Sequence, residues 1–355
     1  MLSHLWQGKQ NKVLGLDIGA SAVRLVELSR SGKGYRLDRF AIERMPMNAM
    51  SENDIKDVNA VASTVRRAFL RSGSKIGNSA VAVSSSQVII KTITMPAGFS
   101  ESELEEQIMV EAAQYIPYPM EEVNLDFCVG DSVGEGELVE VLLVASRSEN
   151  VDARIAVLEQ AGLNAVVMDV ETFALENAFP LVGKQMMDSA RVHTVALINI
   201  GDVTTTMAVL RDGNGIYSRE QMFGDIQLTE AIQQHYGLSF EQAEQARQNN
   251  ELPEDFDTDV LPAFRKAIAQ QASRLLQFFF SASGVSHVDH VLLSGECATI
   301  SGVAETVAEM TGIPASIASP FSSMMLSSNV ARDKLEKEAP AMMIACGLAL
   351  RSFDQ

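Results

Sequence analysis

VLGLDIGASAVRLVEL, residues 13–28, and VALINIGDVTTTMAVL, residues 195–210, are two versions of one sixteen-residue pattern, set 182 residues apart (Val13 to Val195) in a chain of 355. Each reads as an apolar strand, a tight turn of Gly and small hydroxyl residues, and a second apolar strand. A hairpin of this kind presents backbone N–H groups and Ser or Thr hydroxyls at its tip, the donor set that suits phosphate. Two such tips facing each other across a cleft would hold a nucleoside triphosphate from both sides.

The rest of the sequence fits a cleft protein built from two related halves. A length of 355 residues leaves room for about two domains, and 46% apolar with 21% charged residues is ordinary globular composition. The formal net charge of −18 argues against a nucleic-acid binder, whose affinity depends on Lys and Arg at phosphates, and against direct adsorption to an anionic membrane. Cys128, Cys297 and Cys346 are widely spaced, as expected of three reduced thiols in a cytoplasmic protein. No segment reaches the ~20 apolar residues of a membrane span, and we expect no direct membrane insertion. Leu2, Leu5 and Trp6 beside two lysines leave a membrane touch or a frayed terminus as alternatives.

Strand and helix patterns alternate, which defines an α/β protein. Tyr35–Met45 reads as a third strand and 54–71 as a helix by its apolar spacing. Ser84-Ser85-Ser86 breaks a strand-like run over 80–95. Ser100 with Glu103, and Ser239 with Gln242, are capping boxes that start helices, the first ending before Pro117. A strand follows over 123–129, another over VEVLLVAS, a helix over 150–161 and a strand over 165–170. The segment 184–193 is the expected crossing between halves, Leu261 to Phe279 marks a long helix, and His290–Ser294 is a buried strand meeting Gly295. Neither G-x-x-x-x-G-K-[ST] nor G-x-G-x-x-G occurs, so neither the P-loop nor the dinucleotide fingerprint supplies the phosphate site. His287 and His290 form an H-x-x-H without further ligands, and Phe278–Phe280 is read as core packing.

With these motifs in order, the chain resembles the actin, Hsp70 and sugar-kinase superfamily. The segments that carry the resemblance are LDIGASAVRL, DVETFALENA (169–178), INIGDVTTTMAV, VLLSGECATISGV (291–303) and PAMMIACGLALR (340–351). Within it, EAAQYIPYPMEEVNLDF (111–127), FGDIQLTEAIQQHYGLS (223–239) and ACGLALRSFD (345–354) are similar to FtsA and, more closely, to the PilM family of type IV pilus assembly. FtsA-like proteins end in an amphipathic membrane helix that this sequence does not show. The resemblance implies an actin-like (ribonuclease H-like) duplicated two-domain fold with an FtsA-type inserted subdomain. Residues 1–183 plus 336–355 would form the first domain, 184–335 the second and about 88–150 the insert.

The resemblance implies a site for ATP and Mg²⁺. Gly19, Ala20 and Ser21 of the first hairpin and Asn199, Gly201, Thr204 and Thr205 of the second would take the phosphates. Asp17 would position Mg²⁺ through water, an Asx-type turn cap being the other reading. Gly224 belongs to a loop closing over nucleotide, Gly295 and Glu296 to the adenosine turn. Glu244 and Arg247 would lie at ribose and adenine, or form an i,i+3 surface pair. Glu171 matches a water-positioning residue. Asn199 stands where the superfamily usually has Asp, and Glu296 follows Gly295 where a second Gly is usual; both predict nucleotide binding with at most weak hydrolysis.

The expected role is that of an ATP-binding scaffold on the cytoplasmic side of the pilus inner-membrane platform, serving pilus biogenesis and twitching motility. Its expected partners are the cytoplasmic N-terminal tail of PilN and the pilus assembly or retraction ATPases, with self-association open. The alternatives are an active ATPase, a small-molecule kinase, which needs a carboxylate base at an acceptor site, or an FtsA-like filament protein.

Overall fold

The computed structural model describes residues 12–134, 136–187, 192–249 and 251–354. The first half opens with a three-stranded meander, β1 (Leu14–Ile18), β2 (Ala22–Ser31) and β3 (Gly34–Arg44). A two-residue hairpin, β4 (Met50–Ser51) and β5 (Asp54–Ile55), leads into α1 (Val58–Ser72) and β6 (Asn78–Val83). Then come β7 (Val88–Pro96), α2 (Glu101–Ala112), β8 (Val123–Val133), β9 (Leu138–Arg147), α3 (Ser148–Ala161), β10 (Asn164–Val170) and α4 (Glu171–Met187). The second half repeats the meander as β11 (Thr194–Ile200), β12 (Thr204–Arg211) and β13 (Asn214–Met222). It continues through α5 (Ile226–Tyr236), α6 (Phe240–Asn249), α7 (Leu261–Ser283), β14 (His290–Ser294), α8 (Val303–Thr311) and β15 (Ala315–Ile317). The chain returns through β16 (Met325–Leu326) and α9 (Arg332–Glu338) to α10 (Met343–Leu350).

The two main sheets have one topology. The first runs β10-β6-β1-β2-β3, extended by β16, and the second β13-β12-β11-β14-β15. In each, the meander is antiparallel and the next strand pairs parallel to the meander's first. The repeat extends to single bonds: Gly19 donates its amide to the Ala22 carbonyl, and Gly201 to that of Thr204, both at 3.0 Å.

Both sheets are covered on both faces, which explains the near-continuous apolar runs of β1, β2, β11 and β12. Leu14, Leu16, Val23 and Leu25 pack on α1 and α3 through Val61, Val65, Val157 and Leu158. Ala196, Ile198 and Ile200 face Phe264, Ile268 and Leu275 of α7. Between the sheets, Val26 and Leu28 of one and Leu197 and Leu210 of the other meet α4 and α10 through Leu175, Phe179, Met343 and Cys346. The result is five layers, with α4 and α10 as the shared middle one. α4 continues to Met187, so the expected crossing segment begins inside a helix, and residues 188–191 lie outside the described residues. The Leu2, Leu5 and Trp6 segment also lies outside them. Among the described residues no helix is long and apolar enough to cross a membrane.

A smaller sheet, β7-β9-β8, carries α2 on one face and has its own core of Ile93, Met95, Leu104, Ile108, Val141 and Leu143. Ser100 and Glu103 form the expected capping box, and the Ser239–Gln242 pair bonds reciprocally in the same way. Phe279 is fully buried while Phe278 lies between the Arg219 and Arg274 guanidinium groups, so the phenylalanine cluster is packing.

The middle layer depends on Gly347 in α10. A Cβ there would strike the Ala174 carbonyl oxygen of α4, far inside contact distance. Asn177 of α4 also donates to the Gly347 carbonyl at 2.8 Å. We expect Gly347→Ala to destabilise the protein by about 1–3 kcal/mol, the usual cost of overpacking. Thermal denaturation would register this as a lower midpoint, and an unchanged midpoint would refute the close helix crossing.

Candidate functional site

The two hairpin tips meet. The Ser21 amide donates to Asp202 Oδ2 at 2.8 Å, and the Ser21 hydroxyl lies 2.6 Å from Asp202 Oδ1 and 2.9 Å from Glu296 Oε1. Arg24 stands directly opposite Asp17 in the β1–β2 register, reaching it at 3.5 Å, and its other nitrogen pairs with Glu296 across the cleft. Asp17 is thus on strand β1 beside a cation, rather than alone at the tip. One register row of the second sheet runs Ser294, Asn199, Thr206 and Glu220. Asn199 accepts from the Ser294 hydroxyl at 3.0 Å.

Asp17, Gly19, Ala20, Arg24, Glu171, Asn199, Gly201, Asp202, Thr204, Gly295 and Glu296 line one end of the cleft. Thr205 turns away, donating to the Phe223 carbonyl at 2.7 Å. The cleft opens into a cavity of about 860 Å³ that shares Glu296 and Ala341 with the narrow end and that Ser21, Glu244, Arg247, Thr299, Lys334 and Lys337 border. That volume lies within the range of small-ligand sites. Gly295 holds φ +90°, and a Cβ there would run into the Ile200 backbone. Gly224 sits behind the second tip, where the next residue's amide, that of Asp225, donates to the Gly201 carbonyl at 2.9 Å. Arg247 binds both oxygens of Asp225, at 2.9 and 2.6 Å, and lies 3.7 Å from Glu244. The Glu244–Arg247 pair therefore belongs to a network at the cavity edge, anchored by Asp225.

Charge in the narrow end is unbalanced. Burial, followed by Asp202 and opposed by Arg24, pushes the Asp17 carboxyl up to about 6. Burial and the neighbouring Asp17 and Glu220 carry Glu171 up to about 8. Burial and Asp202 raise Glu296, whereas Asp202 stays low despite its own burial through bonds with Glu296 and Ser21 and the Arg24 charge. Of the two neighbours, Glu296 is therefore the one that takes up a proton more readily. The donors therefore fit a phosphate group, since a carboxylate already satisfies the Ser21 amide and hydroxyl. The surplus of carboxylates around Asp17 fits a divalent cation.

Sequence reasoning passed over Arg24, Asp202, Glu220 and Asn53. Arg24 interrupts an apolar strand, and Asp202 stands at the repeat position of Ala20; both are readable signals. Glu220 has none, because an exposed-looking meander strand brings it here. His290 bonds Ser316 at 2.7 Å through Nε2.

The duplicated sheets and the facing hairpins over a deep cleft define an actin-like ATPase fold. A solved structure described as a PilM–PilN type IV pilus biogenesis complex is 27% identical, covers 98% of this chain and 100% of that chain, and superposes with a TM-score of 0.81. The ethanolamine utilization protein EutJ from Carboxydothermus hydrogenoformans shares the fold at 16% identity and a TM-score of 0.57, over 95% of this chain and 89% of that one. The sequence profile of type IV pilus assembly protein PilM matches residues 15–353, and the chain belongs to that family.

Glu171 gives a pH test. Its folded-state value lies above its ordinary 4.5, so its protonated form adds stability that is present below that value and lost as pH rises through about 8. A neutral glutamine does not lose it. Glu171→Gln is expected to be more stable than the wild type at about pH 9, by up to about 5 kcal/mol at about 1.4 kcal/mol for each unit between the two values, with the gap closing near pH 5. Parallel melting curves across that range would contradict a carboxyl whose burial outweighs the Arg154 charge and the Ser84 hydrogen bond.

Proposed function

We propose that this chain is an ATP-binding scaffold of the type IV pilus inner-membrane platform, held at the membrane from the cytoplasmic side through a PilN protein. The observation that carries the nucleotide part is the meeting of two equivalent hairpin tips, whose Ser21 donors already hold an oxyanion. Gly19, Ala20, Ser21, Gly201 and Thr204 would cradle the phosphates. Asp17 would hold Mg²⁺ through water, and Glu244 and Arg247 would border the ribose and base. Thr205 would support its hairpin from behind, through Phe223. A bound Mg²⁺ would add to the positive charge that Arg24 alone supplies between Asp17 and Glu296. Asn199 in place of a carboxylate and Glu296 at the adenosine turn favour binding over turnover, with Glu171 as the residue placed to orient water. Nucleotide contacting both hairpins would favour the closed cleft by its differential affinity.

For the partner, the similarity to a PilM–PilN complex supports PilN, and we place its cytoplasmic N-terminal tail in a groove of about 260 Å³ beside the small sheet. Val88, Ile89, Ile116, Tyr118 and Val123 give this groove an apolar floor, and Arg147, Glu149 and Asn150 a polar rim. An extended peptide in such a groove gains main-chain hydrogen bonds and side-chain pockets. We assign residues 1–183 with 336–355 to the first domain, 184–335 to the second and 88–150 to the insert. Strand β16 would be an outlying segment lent to the first sheet's edge. Recruitment through a partner also suits a chain of net charge −18, and supports a role in pilus biogenesis and twitching motility beside the assembly and retraction ATPases.

The wild type should bind a synthetic PilN N-terminal tail and Mg-ATP in separate titrations. Asp17→Ala should lose at least tenfold in Mg-ATP affinity, and deletion of residues 88–150 should abolish tail binding. Tail binding that survives the deletion would remove the groove assignment, and unchanged nucleotide affinity in Asp17→Ala would remove the cleft assignment.

A further inference from the structure

The duplication lets the two meanders be compared strand by strand, and they differ at one edge. In the first sheet the outer meander strand, β3, is not the last strand. β16 adds to it in parallel, pairing Met325 with Arg36 and Leu326 with Leu37, and the Ser327 amide donates to the Leu37 carbonyl at 3.0 Å. The equivalent strand of the second sheet is β13, and there the sheet ends. Among the described residues no backbone hydrogen bond joins β13 to any segment on its outer side. An open edge of nine residues is a template for one further strand.

Side chains give this edge its chemistry. Tyr217, Arg219 and Gln221 alternate onto the face that α7 covers, where they meet Phe279, Phe278 and Gln271. The Arg219 guanidinium carbon lies 3.8 Å from the Phe278 ring centroid, and that of Arg274, one turn earlier on α7, lies 5.5 Å from it. Both arginines are exposed, and among the described residues neither has a carboxylate within salt-bridge distance. The chain carries 46 acidic residues against 28 Lys and Arg, so two guanidiniums sharing one ring without an acid depart from its general pattern. The ring holds both heads in place, which lowers the ordering cost of receiving a carboxylate. Met222, placed by alternation on the opposite face, is 59% exposed, and Ile216 at the other end of the strand is 42% exposed. A lone charge on an edge strand repels other strands. Paired charges on one side with exposed apolar residues on the other instead match one particular kind of strand.

We propose that the outer edge of β13 is a docking site for an extended, acidic segment of a partner protein, which adds a further strand to the second sheet as β16 does to the first. Its carboxylates lie on the α7 side against Arg219 and Arg274, and its apolar residues on the side of Met222. Main-chain bonds to β13 supply affinity, and the alternation of side chains supplies specificity. Arg219, Met222, Arg274 and Phe278 line neither the cleft nor the groove, so this inference stands apart from the nucleotide and PilN readings.

The test is selection from random peptides of about ten residues, the length of a long strand, on the full-length wild type and in parallel on the Arg219→Ala/Arg274→Ala double variant. The wild type should retain a class in which acidic and apolar residues alternate, and the double variant should lose it. Titration of such a peptide should show binding weakened about fivefold or more in the double variant, as two exposed ion pairs allow. N-methylation of alternate backbone amides should abolish binding in one phase and spare it in the other, since only one set of amides faces β13. Arg274→Glu should refuse the acidic peptide and accept its lysine-substituted counterpart, which separates lost charge from lost folding. If the double variant loses no acidic class, or the class it loses is basic, the proposal falls. N-methylation without effect in either phase also overturns strand addition. Sedimentation that shows the wild type dimerising, and the double variant not, would give the edge to a second copy of this chain and overturn the partner assignment.

Discussion

The Arg24 guanidinium is the interaction on which the arrangement of the two halves depends. It is buried, it issues from a strand otherwise committed to the core, and it faces Asp17 of its own sheet and Glu296 of the other half. Its charge is held more firmly than usual despite burial, because Glu296, Asp202 and Asp17 surround it. Removing one member of such a buried group leaves the others uncompensated, at a cost of about 3–5 kcal/mol. Asp202 completes the contact from the opposite tip by accepting from Ser21. The two hairpins are therefore registered against each other by chemistry that belongs to the site, and the cleft geometry follows from the same groups that give it its charge.

This arrangement makes the narrow end electrically unlike the wide end. Around Asp17 one cation serves several carboxyl groups, whereas Arg247, Lys334 and Lys337 border the larger cavity. The larger cavity is the more balanced of the two, because Arg44, Arg71, Arg247, Lys334 and Lys337 stand there among Glu43, Asp225, Glu244, Glu296 and Glu338.

The duplicated hairpins, both capping boxes and the small-residue helix PAMMIACGLALR were legible because each is set by local spacing. The turn bonds of Gly19 and Gly201 are equivalent because the sequence repeat is also a repeat of backbone conformation. The surroundings of Asp17 were not legible in that way. Arg24 could be paired with it by strand alternation, but Glu296 and Asp202 arrive from 272 and 181 residues away, through Arg24 and Ser21. The Glu244–Arg247 spacing left a nucleotide contact and an i,i+3 ion pair as alternatives, and only the fold reveals Asp225 as the stronger partner of Arg247. Glu220 was invisible, since nothing in its neighbourhood distinguishes a strand residue facing solvent from one facing another domain.

The helix that closes the middle layer comes from the far end of the sequence. Ser352 bonds both the amide and the carbonyl of Val13, and Gly347 of α10 lies against α4. Leu14 to Ile18 forms the central strand of the first sheet, yet the layer beneath that sheet stays incomplete until residues 343–350 have been made. During synthesis the second half, whose sheet and α7 are contiguous in sequence, has its partners in hand while the first half still waits for a lid. Contacts of such long sequence separation slow folding, and unfinished apolar faces invite aggregation. The half that emerges first from the ribosome is thus the half that matures last, and it needs protection for almost the whole length of translation.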